Sequence, residues 1–228
     1  MGNRKQLLIA SGVVLIAMVL ASLWAWFVLP GDARIPIHWN VRGEVDGYGD
    51  KAFGLFLAPV VTAAVSGLFA LLPAIEPRRK HLMQSSKLYT AIWIGLLALM
   101  AIVHALIITT ATGLMTGPTR LPIAGVGLLF IVLGNYLGKS RSTFFMGIRT
   151  PWTLSSELSW RKTHRLGGWL FMALGLAMIV TVFAAPALLA WVVLGGVGAT
   201  VLVVTVYSYI VWKNDPERHS DRPLTPTA

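Results

Sequence analysis

The sequence predicts an all-α integral membrane protein with six transmembrane helices, and three observations carry that expectation. Hydrophobic residues make up 56% of the 228 residues while only 12% are charged, about half the charged fraction of a soluble domain. Six apolar stretches are long enough to cross a hydrocarbon core ~30 Å thick at ~1.5 Å per residue. Lysine and arginine in the connecting loops alternate sides in step with six crossings.

The first stretch, residues 7–29, follows Asn3-Arg4-Lys5 and resembles a signal peptide in outline. It is longer than the ~7–15 residues of an ordinary signal core, and it ends in Trp24-Ala25-Trp26-Phe27, not in a small-residue cleavage site, which predicts a retained span. The next stretches are 53–75, 88–112 and 121–138, followed by an almost unbroken apolar run from 166 to 212. As one helix that run would be roughly 70 Å long, over twice the bilayer. It must double back, and Ala184-Ala185-Pro186 is the place, because proline cannot continue a helix interior. The fifth and sixth spans are thus 166–184 and 187–211.

Orientation follows from the basic residues. Fifteen of the 19 fall on one side, from Arg4 and Lys5 through Arg78, Arg79 and Lys80 to Lys213, Arg218 and Arg222. Arg34, Arg42, Lys51 and Arg120 fall on the other. The positive side is cytoplasmic, so both termini and the 139–165 loop face the cytoplasm. The net charge of +10 is then mainly topology, with membrane lipids as partners, and direct nucleic-acid binding is not expected. With no cysteine in the chain, disulfides, thiolate catalysis and cysteine-based metal sites are excluded. Three regions are expected: a two-helix unit at 1–87 with an outer polar loop at 30–52, a four-helix core at 88–212 with a cytoplasmic loop at 139–165, and a polar, proline-rich, disordered tail at 213–228.

The outer loop reads IPIHWNVRGEVDGYGDKAFG, residues 35–54. Gly43, Gly47, Gly49, Asp46 and Asp50 mark turns, and Trp39 and Tyr48 suit a headgroup interface. One reading is a ligand-binding surface formed by His38, Trp39, Asn40, Gly43, Asp46 and Lys51. The other is an ordered connector whose polar groups satisfy one another. His38 and Asp46 lack a recognisable metal-ligand spacing.

In the cytoplasmic loop the stretch GIRTPWTLSSELSWRKTH, residues 147–164, interrupts greasy surroundings with two tryptophans and a dense set of polar groups. Thr150-Pro151 predicts a helix start, with threonine as N-cap and proline at the first helical position. A helix from there would align Thr153, Glu157, Trp160, Arg161 and His164 on one stripe, forming a short interfacial helix that runs into the fifth span near Gly167-Gly168. Arg149, Glu157 and His164 would form a polar cluster, with Asn135, Lys139, Thr150, Pro151, Trp152, Thr153 and Trp160 as further members of a functional site. A plain connector explains the same stretch equally well.

Gly138-Lys139-Ser140 falls one residue short of a phosphate-binding loop and follows a helix. Gly134-x-x-x-Gly138 reads better as close helix packing, with Asn135 able to hydrogen-bond across a helix pair. His104 is an ionisable residue in the middle of a span, hence a functional candidate, although a packed neutral histidine serves as well. No metal, cofactor or catalytic constellation is expected.

Together the two loops resemble known families. IPIHWNVRGEVDGYGDK resembles the P-x-H-W/F-N-x-x-G-x-x-D signature of a widespread bacterial domain of unknown function. GNYLGKSRSTFFMGIRTPWTLSSELSWRKTHRLGGWLF, residues 134–171, resembles the core of the SdpI family, the immunity proteins of the sporulation-delay toxin system. The resemblance implies a six-helix protein of the bacterial cytoplasmic membrane that counters a secreted peptide toxin. It also implies a relay in which a cytoplasmic transcriptional repressor is captured. Two alternatives stand beside that one: a transporter or channel lined by His104 and Asn135, and a membrane enzyme using His164 and Glu157 as base and acid.

Overall fold

The computed structural model describes residues 4–40, 42–117 and 119–219, without the side chains of residues 218 and 219. It is a helical bundle. Helix α1 (Arg4–Val28) leads into a hairpin of β1 (Ile35–Trp39) and β2 (Val45–Gly49), then α2 (Lys51–Ile75), a short α3 (Arg79–Gln84), α4 (Ser86–Ala111) and α5 (Leu121–Leu137). A loop follows, then α6 (Pro151–Ser155), α7 (Glu157–Ala184), a 3-10 turn at Pro186–Leu188 and α8 (Leu189–Lys213).

Five of these helices, α1, α2, α4, α7 and α8, are long and apolar enough to cross a membrane. Helix α5 is apolar but has 17 residues, about 26 Å at 1.5 Å per residue and at the lower edge of spanning length. The chain turns where the sequence indicated: Ala185 caps α7 and Pro186 opens the turn into α8. Three expectations need correction. The fold is not purely helical, because the outer loop pairs as a two-stranded antiparallel hairpin. The helix expected to continue from Thr150 into the fifth span is broken at Ser156, whose backbone is extended (φ −140°, ψ 121°). The tail is ordered in part: Asp215 is buried and Pro216–His219 form a 3-10 turn, while residues 220–228 lie outside the described set.

Packing at one end of the bundle centres on Phe69, Tyr89 and Trp93, whose rings lie 5.6–5.8 Å apart. Their polar atoms are satisfied inside the bundle: Tyr89 donates to the Phe69 carbonyl (2.6 Å) and Trp93 Nε1 to Ser11 Oγ (3.0 Å). Such pairing is obligatory where no water is at hand. Helices α5 and α7 form the most intimate pair. A Cβ on Gly134 would lie 2.5 Å from the Gly168 carbonyl oxygen, and one on Gly175 would lie 2.3 Å from that of Gly127. Gly127 and Gly134 are seven residues apart, as are Gly168 and Gly175, so two full turns repeat the contact. Gly138, the other half of the expected packing motif, meets the Arg165 backbone.

Enlarging this interface tests it. Gly134→Val or Gly168→Val forces the backbones apart and should cost about 1–3 kcal/mol by overpacking, whereas Gly12→Ala, with open space around it, should leave stability unchanged or slightly raised. Thermal unfolding in detergent reads the difference, and equal Tm values for the three variants would contradict the packing.

Candidate functional site

Antiparallel helices carry the two polar loops to opposite ends of the bundle. At the hairpin end, Ile35 is fully buried against α2, where a side chain on Gly54 would collide with it at 2.3 Å. Gly43 closes the tip with φ +79°, and a Cβ there would meet the Thr119 carbonyl oxygen at 2.2 Å. Thr119 in turn donates its backbone N–H to the Gly43 carbonyl (2.8 Å), so the tip docks on the α4–α5 connection. Asn40 organises the turn: its Oδ1 accepts from the backbone of Arg42 and Glu44 (2.8 and 3.1 Å), and its Nδ2 donates to Glu44 Oε2 (2.9 Å). Hydrogen bonds from Asn40 and Arg42 hold the Glu44 carboxyl below its usual pKa.

Lys51 is buried and donates to the Leu29 carbonyl at 2.6 Å, with its Nζ 4.9 Å from the centre of the Trp26 ring. It therefore closes the C-terminal end of α1, where orphan carbonyls and the helix dipole favour a cation. Of the expected outer-loop residues, only His38 and Asp46 present reactive atoms to the surface, paired Nδ1 to Oδ1 at 2.5 Å with side chains 69% and 44% exposed. Trp39 is half-buried. No third histidine, aspartate or glutamate joins the pair to make a metal cluster among the described residues.

At the other end, the loop between α5 and α6 is folded around Trp160 and His164, both fully buried and stacked with ring centres 3.8 Å apart. The His164 ring is held from both edges: Ile148 donates its N–H to Nε2 (2.8 Å), and Nδ1 faces the Trp160 carbonyl (2.8 Å). A donor on one side and an acceptor on the other require the neutral Nδ1–H tautomer. Gly147 lies over this stack with φ +109°, where a Cβ would come within 2.5 Å of His164 Nε2 and 2.9 Å of Trp160. Trp160 Nε1 donates to the Ser140 carbonyl (3.1 Å).

The rest of the motif consists of helix caps. Thr150 accepts from the Thr153 N–H (3.1 Å) while Thr153 Oγ1 accepts from the Thr150 N–H (2.9 Å), a reciprocal cap with Pro151 at the first helical position. Ser156 then caps α7 by accepting from Ser159 N–H (2.9 Å) and donates its hydroxyl to buried Asp215, tying the segment after α8 to the α6–α7 junction. Trp152 packs edge-on against Tyr209 (5.2 Å).

The principal clamp on this loop comes from a residue outside both sequence motifs. Glu76, 4% exposed, follows α2 and accepts three backbone N–H groups, from Arg78 (3.0 Å), Phe144 (2.9 Å) and Phe145 (3.0 Å). Arg78 reaches the Ser142 hydroxyl and the Leu154 carbonyl (2.9 Å), and His81 Nδ1 meets the Ser142 carbonyl (2.7 Å). A signal existed: Glu76 is the only acidic residue between Asp50 and Glu157.

The expected polar cluster is not assembled. His164 is interior, Arg149 is exposed and bonds the Phe144 carbonyl (2.9 Å), and Glu157 lines a separate polar recess with His81, Arg141 and Arg161. Thr153 and Glu157 lie on different helices, so the stripe is interrupted. Asn135 and Lys139 face away, into a groove beside α4. His104 Nε2 bridges the Met18 carbonyl (3.0 Å) and Ser22 Oγ (3.2 Å), and Ser22 donates to Leu55 O (2.7 Å), so this histidine ties α4 to α1 and α2.

These features define a polytopic helical membrane protein with a hairpin at one end and a clamped, motif-rich loop at the other. Residues 139–210 match the SdpI/YfhL protein family and residues 13–63 match a domain of unknown function, DUF1648. The chain thus carries one segment similar to DUF1648 and, after it, one similar to the SdpI/YfhL family. It is similar to Immunity protein SdpI of Bacillus subtilis (strain 168), with 24% identity over 206 residues covering 90% of this chain and 95% of that protein. No solved structure matches it.

The clamp is testable through the amides it holds. Glu76→Ala removes the acceptor of three part-buried N–H groups, each bond contributing about 1 kcal/mol or more, so amide exchange at Phe144 and Phe145 should accelerate by roughly fivefold or more. Gly147→Ala should loosen the same loop by displacing His164, and unchanged exchange in both variants would refute this account.

Proposed function

We propose that this chain is an immunity protein of the bacterial cytoplasmic membrane that counters a secreted peptide toxin. The observation that carries the proposal is end-to-end similarity to an immunity protein, 90% of this chain against 95% of the other. Under this reading α5 is a sixth span, both termini are cytoplasmic, and the hairpin faces outward. The distribution of basic residues supports that orientation, with 15 of 19 in the segments that six crossings assign to the cytoplasmic side.

The toxin would meet the hairpin at the exposed His38–Asp46 pair and the neighbouring Trp39 and Asn40, while Gly43 and Lys51 hold the hairpin in place. At the other end, the recess beside Glu157 and Arg161, together with exposed Arg149, would receive a cytoplasmic repressor. The Trp160–His164 stack would fix the loop that presents that surface and would take no part in proton transfer.

Toxin-sensitive cells expressing the chain should survive peptide concentrations that kill vector controls. His38→Ala with Asp46→Ala should reduce survival by about an order of magnitude at equal membrane levels, since truncating a few central contacts removes most of a binding surface's affinity. Equal killing of expressing and control cells would end the immunity reading.

Because the native chain has no cysteine, topology can be read with single introduced ones. A cysteine at Asp46 should react with a membrane-impermeant maleimide in intact cells, and one at Ser155 should react only after lysis. Labelling of both in intact cells would overturn the six-span threading.

A further inference from the structure

Beside the α5–α7 interface lies a groove of about 970 Å³ between α4 and α5, bordered by the first turn of α1. Its walls are apolar over most of their length, from Leu128 and Leu129 on α5 to Ile94 and Ile102 on α4. Its mouth, at the loop end, carries Arg4, Lys87 and Lys139, and no aspartate or glutamate lines it. Lys87 to Ile102 spans 15 residues of one helix, about 22 Å at 1.5 Å per residue. That equals one leaflet with its headgroups, half of a bilayer ~40–45 Å thick.

Two polar side chains just inside the mouth have no partner. Asn135 on α5 and Thr90 on α4 both line the groove, and neither side chain forms a hydrogen bond among the described residues. Both lie within a turn of the mouth, Asn135 exposed and Thr90 half-buried, where an occupant that brings acceptor oxygens to this level would bond them. Two glycines close the floor by letting α4 and α5 approach, each receiving a leucine of the facing helix. A Cβ on Gly95 would strike the Leu129 side chain at 2.5 Å, and one on Gly125 would press Leu99 at 3.1 Å.

We infer that this groove binds one anionic phospholipid of the phosphatidylglycerol type. Its phosphate sits among Arg4, Lys87 and Lys139, its ester and glycerol oxygens meet Asn135 and Thr90, and one acyl chain lies along Ile94, Leu128 and Ile102. Three cations without a carboxylate select against a headgroup bearing an ammonium, because the amine finds no counter-charge and meets like charge. The inference rests on the membrane-spanning fold alone and is independent of toxin immunity.

Native mass spectrometry of the full chain released from bilayers of equal phosphatidylglycerol and phosphatidylethanolamine tests it. Wild type should retain one phosphatidylglycerol in clear preference to phosphatidylethanolamine. Lys87→Gln with Lys139→Gln should erase that preference, weakening retention roughly 30-fold for two lost near-surface cations. Ile94→Trp, a change at a half-exposed position, should block the acyl track and release the lipid with the mouth intact. Helix content and Tm identify any variant that fails to fold, and the wild-type preference decides the matter without the variants. Equal retention of both lipids by wild type, or no retained lipid, would overturn the inference. So would displacement of the lipid by millimolar inorganic phosphate, which would indicate an anion site without an acyl track.

Discussion

Helices α5 and α7 touch backbone to backbone because four glycines, two turns apart on each helix, leave nothing between them. In lipid the hydrophobic effect does not drive helices together, and close van der Waals contact takes its place. The consequence reaches beyond the pair. With α7 held against α5, Trp160 and His164 lie directly beneath the chain leaving α5, so that chain must fold over them as an irregular loop. Gly147 and Gly167 are what that geometry demands: one spares room over the stacked rings, the other receives the Ile148 side chain.

An irregular loop packed against apolar helices has a problem that a helix does not. Its backbone donors and acceptors lack partners of their own, and each must be found one. Glu76 answers for the donors at Arg78, Phe144 and Phe145, Arg78 and His81 answer for acceptors, and His164 takes the Ile148 N–H. A buried carboxylate is tolerable only when it is so bonded. The polar density of residues 147–164 is therefore largely consumed in folding the loop. What remains for a partner is the exposed charged remainder, Arg149, Glu157, Arg161 and Lys162.

This explains what the sequence could and could not disclose. Long apolar runs, the proline at 186 and the Thr150-Pro151 cap are local signals, set by hydropathy and backbone chemistry within a few residues. The hairpin was hidden because its register is irregular and its second strand holds two glycines in five residues, which blurs alternation. The break at Ser156 was hidden because the period of three and four runs straight through it. Ser156 caps the restarted helix through the Ser159 N–H, and its bond to Asp215, 59 positions away, fixes it there. Glu76 acts on partners 68 and 69 residues distant, a relation that no local pattern carries.

The two ends are joined by rigid elements. Helix α2 begins at Asp50, which caps it, and Lys51, which anchors the hairpin to α1. It ends at Glu76, which clamps the loop. Helix α5 begins beside Thr119, where the hairpin tip docks, and ends at the start of that same loop. A ligand on the hairpin would therefore act on two rods that terminate at the clamped loop. It changes that loop only by binding two arrangements of α2 and α5 with different affinity. The bonds available to change include three on Glu76, two on the Arg78 guanidinium, one on His81 and one on the Ile148 amide.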